Sequence, residues 1–228
     1  MVKALTAIII IALTVIIYLI MNRLYIHFSS PFLSPILTTV LVIIAALVYF
    51  HIPYNTYLIG GNWINYLLGP AVVALAYPLY NQRKVLIRYL FPIISGVVIG
   101  LLIGMSSGFL LALAFGVDKD MILSLLPKSI TTPVAMEVSY ELGGIPAITV
   151  VLVVIAGFVG ALLGPIFLKW SHIHSEMGRG IALGSASHAL GTSKASEYGE
   201  LSFSMSSVSM ALTAILGAVI GSIIPFFL

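Results

Sequence analysis

The stretch PKSITTPVAMEVS, residues 127–139, carries five polar groups in ten residues: Lys128, Ser129, Thr131, Thr132 and Glu137. Apolar chain flanks it on both sides. A charge at bilayer depth costs a few kcal/mol at least, so such groups usually face a cavity or a pathway. Lys128 can attract an anion. The hydroxyls, and the free N–H groups of a helix that starts near Pro133, can hydrogen-bond one. The competing structural account has Lys128 snorkelling to the interface and the hydroxyls bonded to their own helix.

A second polar island, GSASHALGTSKASEYGE, spans 184–200. On a helix, Ser185 lies a turn before His188 and Thr192 a turn after it. Ser187 and Lys194 add to the cluster. An imidazole titrates near neutrality, so His188 is a proton carrier by type, and Glu137 is the other group suited to that role. A neutral histidine bonded to a neighbouring helix is the structural alternative. Gly184 and Gly191 permit breaks in the helix. A third stretch, LLGPAVVALAYPLYNQ (67–82), is apolar but holds Pro70 and Pro78. A proline removes a backbone donor, so the freed carbonyls either line a site or mark a simple kink.

These islands must be positioned by membrane helices. Of 228 residues, 7% are charged and 61% hydrophobic, against about 25% charged in a soluble domain. The mean hydropathy is +1.18. The chain reads as an all-α, polytopic integral membrane protein with roughly six to eight membrane segments in a single domain, 1–228. Soluble catalysis and nucleic-acid binding are not expected of such a composition, and the chain is not expected to be an enzyme. Cysteine is absent, and the histidines and acids show no ligand spacing such as H-E-x-x-H, so neither a metal nor a cofactor is expected. No G-x-x-x-x-G-K loop appears, which argues against direct ATP coupling. The N-terminal apolar run ends at Asn22 and Arg23 without a cleavage pattern and reads as an uncleaved first span.

Hydropathy predicts segments at 2–21, 34–51, 62–81, 86–116, 120–142, 144–169, 178–197 and 200–227. The 86–116 run exceeds one span, so MSSGFLLALAFG is expected to tilt, bend or lie in the interface. Arg83, Lys84 and Arg88 place their loop in the cytoplasm, and Lys169, His172, His174 and Arg179 do the same for a second loop. Three crossings between them would put the loops on opposite sides. The conflict disappears if 120–142 is re-entrant, a path that Pro127, Pro133 and Gly143–Gly144 permit. RYLFPIISGVVIGLLIG (88–104) also echoes GGIPAITVVLVVIAGFVG (143–160). Run in opposite directions, these helices would make an inverted repeat, although chance similarity between apolar stretches accounts for the echo equally well. Glycines 96, 100, 104 and 108 share one helix face and predict close helix packing, as do Gly157, Gly160 and Gly164. Such faces make a homo-oligomer reasonable.

Taken together, LLGPAVVALAYPLYNQ, PKSITTPVAMEVS, the following GGIPA and GSASHALGTSKA resemble the LrgB/CidB family. The likeness covers about 55–228, with an LrgB-like part from about 30; Ser193 departs from a usual alanine. The resemblance implies a multi-pass protein of a bacterial-type plasma membrane, in contact with lipid. It implies an antiholin-like role in murein hydrolase control and lysis, beside a small holin-like partner of the LrgA/CidA type. A related plant protein is a plastidial glycolate/glycerate translocator, and bacterial relatives are connected with pyruvate movement. The resemblance thus also implies a carrier of small monocarboxylates, with Lys128, Ser129, Thr131, Thr132, Pro133, Ser187, His188 and Thr192 as the expected substrate-binding residues.

Overall fold

The computed structural model describes residues 2–28, 33, 35–74 and 76–223. Among these, every regular element is helical: α1 (Val2–Phe28), α2 (Pro35–Tyr49), α3 (Tyr54–Asn65), α4 (Leu68–Ala74), α5 (Ala76–Asn81), α6 (Arg83–Arg88), α7 (Leu90–Ala114), α8 (Lys119–Leu125), α9 (Thr132–Leu142), α10 (Pro146–Trp170), α11 (Glu176–Ala195) and α12 (Glu200–Ile223). Tight 3₁₀ turns at Leu126–Ser129 and Ser196–Tyr198 complete the set. Four helices, α1, α7, α10 and α12, are long and apolar enough to cross a membrane. The chain divides into two compact units, Met1–Ala71 and Val72–Leu228.

In the first unit, α1 packs against α2 and α3. Gly60 of α3 sits directly on Ile10 and the Ala7 carbonyl of α1, where a Cβ would clash. Thr14 Oγ1 donates to the Ile10 carbonyl at 2.8 Å and lies 3.4 Å from the Tyr57 hydroxyl.

Within the expected 62–81 span the described residues show one interruption, a turn at Tyr66 and Leu67 between α3 and α4. Pro70 is the third residue of α4, where a missing N–H is harmless, so the turn before α4 is not its doing; Pro78 lies in α5. The 86–116 run resolves differently too. Its MSSGFLLALA portion continues α7 without a bend, for 25 residues in all.

Helix directions in the second unit follow from its glycines. Gly96 and Gly100 of α7 abut Ile181 and Ser185 of α11, so those two helices run the same way. Gly157, Gly160 and Gly164 of α10 abut His188, Ser187 and Leu183, so α10 runs against both. The α6 end of α7 and the Lys169–Arg179 loop therefore share one face of the unit, the basic face.

Residues 119–142 turn back on themselves. Thr149 Oγ1 of α10 lies 2.9 Å from the Ser124 carbonyl of α8 and 2.7 Å from Ser139 Oγ of α9. The Ile145 N–H donates to Ser124 Oγ at 2.7 Å. Thr149 Oγ1 is the donor toward both acceptors, and its single proton is shared between them. Gly144 rests on Leu123 and Ser124, with room for no side chain. The segment thus begins at Asp118 and ends within ~9 Å of that depth, at ~1.5 Å per helical residue. A crossing needs ~30 Å.

A second reversal lies in α11, where 178–197 was expected to be an interrupted span. The backbone leaves helical geometry at His188 (φ 42°, ψ −130°). Beyond it the chain doubles back: Gly191 meets the Leu183 carbonyl, Arg179 stacks on Tyr198 at 4.8 Å, and Gly199 lies beside the Glu176 carboxylate. Residues 176–198 are a helical hairpin with both ends on the basic face. From there α12 runs parallel to the first arm, setting Ser202 and Ser206 against Gly180 and Gly184, and then receives Ile130 and Val138 at Gly217 and Gly221.

The unit is thus two copies of one plan in opposite orientation. A long helix is followed by a hairpin in α7 with 119–142, and again in α10 with 176–198. The sequence echo of 88–104 and 143–160 falls on these same two long helices, α7 and α10.

Candidate functional site

The two hairpins enter from opposite faces, and their tips lie close together. The Leu126–Ser129 turn and α11 come within 8 Å, Cα to Cα. Depth follows from what each tip touches. Lys128 Nζ donates to the Gly104 carbonyl at 2.8 Å. Gly104 stands ten residues before the end of α7, or ~15 Å at ~1.5 Å per residue. His188 Nε2 lies 2.9 Å from the Val153 carbonyl, with its ring against Gly157 of α10. Gly157 is eleven residues from the α10 start, or ~16 Å. Both groups sit near the middle of a ~30 Å hydrocarbon layer.

The glycine face of α7 does more than bring helices together. A Cβ at Gly108 would stand 2.6 Å from Lys128 Nζ, and one at Gly104 3.5 Å from Ser129 Oγ. Gly104 and Gly108 form the trough in which the lysine lies. One turn earlier, Gly100 accommodates Ser185. A single helix face therefore holds polar groups from both hairpins.

At the first tip, Thr131 stands at the N-cap of α9 without a side-chain capping bond, and Thr132 and Pro133 open the helix. All three are half-buried. An uncapped α9 start presents N–H groups and the positive end of the helix dipole at mid-depth. At the second tip, Thr192 Oγ1 donates to the His188 carbonyl at 2.9 Å and accepts from Ser206 Oγ at 2.9 Å. Ser187 is buried against Gly160.

The structure thus gathers Lys128, Ser129, Thr131, Thr132, Pro133, Ser185, Ser187, His188 and Thr192 about the two tips. It does not bring the lysine ammonium onto the imidazole: Lys128 docks on α7 and His188 on α10. Glu137 is exposed on α9, away from the tips. Gly184 and Gly191 flank the reversal rather than make it, because their missing side chains admit Ser206 and the Leu183 carbonyl. Sequence reading missed Gly104, Gly108 and Ser206 as parts of the site, and also the Ser124–Ser139–Thr149 network beneath it. The four-residue spacing of the glycines was visible, but not what they would seat.

The sequence pattern of the LrgB-like family matches residues 14–227. The uncharacterized protein YxaC of Bacillus subtilis (strain 168) is 61% identical over 222 residues, covering 97% of this chain and 96% of its own. The holin-like protein CidB of Staphylococcus aureus (strain N315) is 42% identical over 214 residues, covering 94% and 93%. The uncharacterized protein YwbG of Bacillus subtilis (strain 168) is 40% identical over 204 residues, covering 90% and 91%. No solved structure matches the chain.

Proposed function

The chain belongs to the LrgB-like family of multi-pass cell-membrane proteins, and from that premise we propose that it is a secondary carrier of a small monocarboxylate of the pyruvate, lactate or glycolate kind. One observation carries this: two opposed hairpins whose tips meet near mid-depth, one bearing Lys128 and the free start of α9. Carriers built from inverted repeats bind at the midplane, with half-helix N-termini aimed at anionic groups. A carboxylate replacing the Gly104 carbonyl at Lys128 gains a charge-assisted bond, and Ser129, Thr131 and Thr132 supply neutral ones. His188 is the group placed to hold a coupling proton.

A second reading is control of murein hydrolase activity and lysis beside a small LrgA/CidA-type membrane partner. The holin-like names of the staphylococcal relatives support it, and more directly than they support transport. The hairpins then serve as a switch rather than a path.

One experiment separates the two. Purified protein in liposomes is offered labelled pyruvate, lactate and glycolate under several pH gradients, with and without the small partner. Uptake above empty liposomes is the expected result. No uptake of any carboxylate under any gradient removes the carrier reading. A lysis or hydrolase phenotype of the deletion strain, restored by a transport-dead variant, would establish the second.

A further inference from the structure

A crevice of about 230 Å³ runs between α10 and the first arm of the second hairpin. Its walls come from Gly160, Gly164 and Phe167 on one side and Leu183, Ala186 and Ser187 on the other. It spans Val159 to Ser171 along α10, or ~18 Å at ~1.5 Å per residue. That is close to one leaflet of a ~30 Å hydrocarbon core. Gly160 and Gly164 let Ser187 and Leu183 pack directly on the α10 backbone, and the small Ala182 and Ala186 beside them leave the crevice open.

The mouth is basic. Ser171 and Ile173 form its rim. The Arg179 Nε donates to the Ile173 carbonyl at 3.1 Å, which fixes the guanidinium at that rim against Tyr198. Lys169, His172 and His174 are exposed in the same turn. Of the nearby acids, Glu176 faces Gly199, Glu197 pairs with Lys194 at 2.6 Å, and Glu200 is exposed at the start of α12. Beside the mouth, Phe167 and Trp170 pack edge to face at 5.9 Å, both exposed, as aromatic residues at a membrane interface do.

An apolar channel one leaflet long, with a basic rim and an aromatic pair at interface depth, has one matching occupant. We propose that it is a binding site for an anionic phospholipid, with one acyl chain in the crevice and the phosphate among Lys169, His174 and Arg179. The inner end of the chain reaches Ser187, next to the reversal at His188, so the lipid forms part of the second hairpin's packing. This site is independent of whether the protein is a carrier.

The test uses Trp170 as reporter in a Trp63→Phe background, since the chain has two tryptophans. The protein is reconstituted into phosphatidylcholine vesicles doped with brominated phosphatidylglycerol or brominated phosphatidylcholine. Half-maximal quenching is expected at about five-fold lower mole fraction of the anionic lipid, the factor that one basic side chain's attraction near an anionic surface supplies. Lys169→Gln with His174→Gln should erase the preference. Ala186→Phe and, separately, Ala182→Leu fill the crevice from its open side and should lower the anionic quenching while leaving gel-filtration behaviour unchanged. Equal quenching by both lipids overturns the site. So does a preference that survives both filling variants, because the headgroup attraction then needs no crevice. Cross-links at Ala186 to a second copy, with no quenching by either lipid, would assign the crevice to a protein interface instead.

Discussion

Replacing Lys128 should separate stability from function. In the folded protein its ammonium makes one hydrogen bond, to the Gly104 carbonyl at 2.8 Å. That carbonyl lies inside α7, where the helix's own i+4 N–H already satisfies it, so Lys128→Ala orphans no buried group. The variant loses a charge-assisted bond of ~1.5–3 kcal/mol. It is also relieved of a charge at mid-depth that costs a few kcal/mol. The two terms offset, and net stability should change by no more than ~1 kcal/mol, a shift of ~2–4 °C in melting temperature for a chain this size. Transport has no such compensation, because the substrate carboxylate loses its cationic partner. A loss of ~1.5–3 kcal/mol corresponds to roughly 10- to 150-fold in uptake at sub-saturating substrate. Lys128→Met keeps the stem in the glycine trough and should lose the same factor, which assigns the effect to charge rather than packing. Lys128→Arg should rescue only in part, since a planar fork must fit where a Cβ at Gly108 would already stand 2.6 Å from Nζ. The assay is initial-rate uptake in liposomes, paired with thermal unfolding in detergent. Folded Ala and Met variants that transport at the normal rate would refute the assignment and move the search to His188.

Three further outcomes test the architecture. Thr149→Val keeps shape but strips the Ser124 carbonyl and Ser139 hydroxyl of their shared partner, and should lower stability by ~1–3 kcal/mol in thermal unfolding, with Thr149→Ser nearly neutral. His188→Ala should be less stable than His188→Gly by ~1–3 kcal/mol, because both lose the Val153 bond but only glycine adopts the left-handed reversal freely; equal melting temperatures would argue against the reversal. Cysteines at Lys84 and His174 should be labelled by an impermeant reagent from the same side of the membrane, and labelling from opposite sides would contradict the re-entrant course of 119–142.

The two hairpins differ in how far the sequence revealed them. The first was legible because Arg83, Lys84 and Arg88 and the Lys169–Arg179 cluster demand an even number of crossings between them, and because Pro127 and Pro133 sit where a path can turn. The second was not. Residues 178–197 have the length of a span and contain no proline, and the reversal falls on His188 rather than on either flanking glycine. What holds it is tertiary: Gly191 over the Leu183 carbonyl, Ser206 on Thr192, and Val153 on the imidazole. The Ser124–Ser139–Thr149 network was hidden for the same reason, since its members share no local period. The long helices were plain from hydropathy, because lipid-facing residues need only be apolar. The glycine faces were read correctly as close-approach surfaces, but the lysine and serines they seat come from elsewhere in the chain.

The shortness of the first hairpin bears on how the protein is made. Its arms, α8 and α9, have seven and eleven residues, and neither can enter a bilayer from the translocon as a ~20-residue stop-transfer segment does. Until α10 emerges, Ser124 and Ser139 lack the Thr149 hydroxyl that lets them leave water. Ile130 at the tip waits longer still, for Gly217 of the last helix to be synthesised. The outer helices must therefore insert first and the hairpin slide in afterwards, so that biosynthesis ends with the central polar layer. A nascent chain stopped before α12 would hold that hairpin at the membrane surface, exposed to the proteases that survey unfinished membrane proteins.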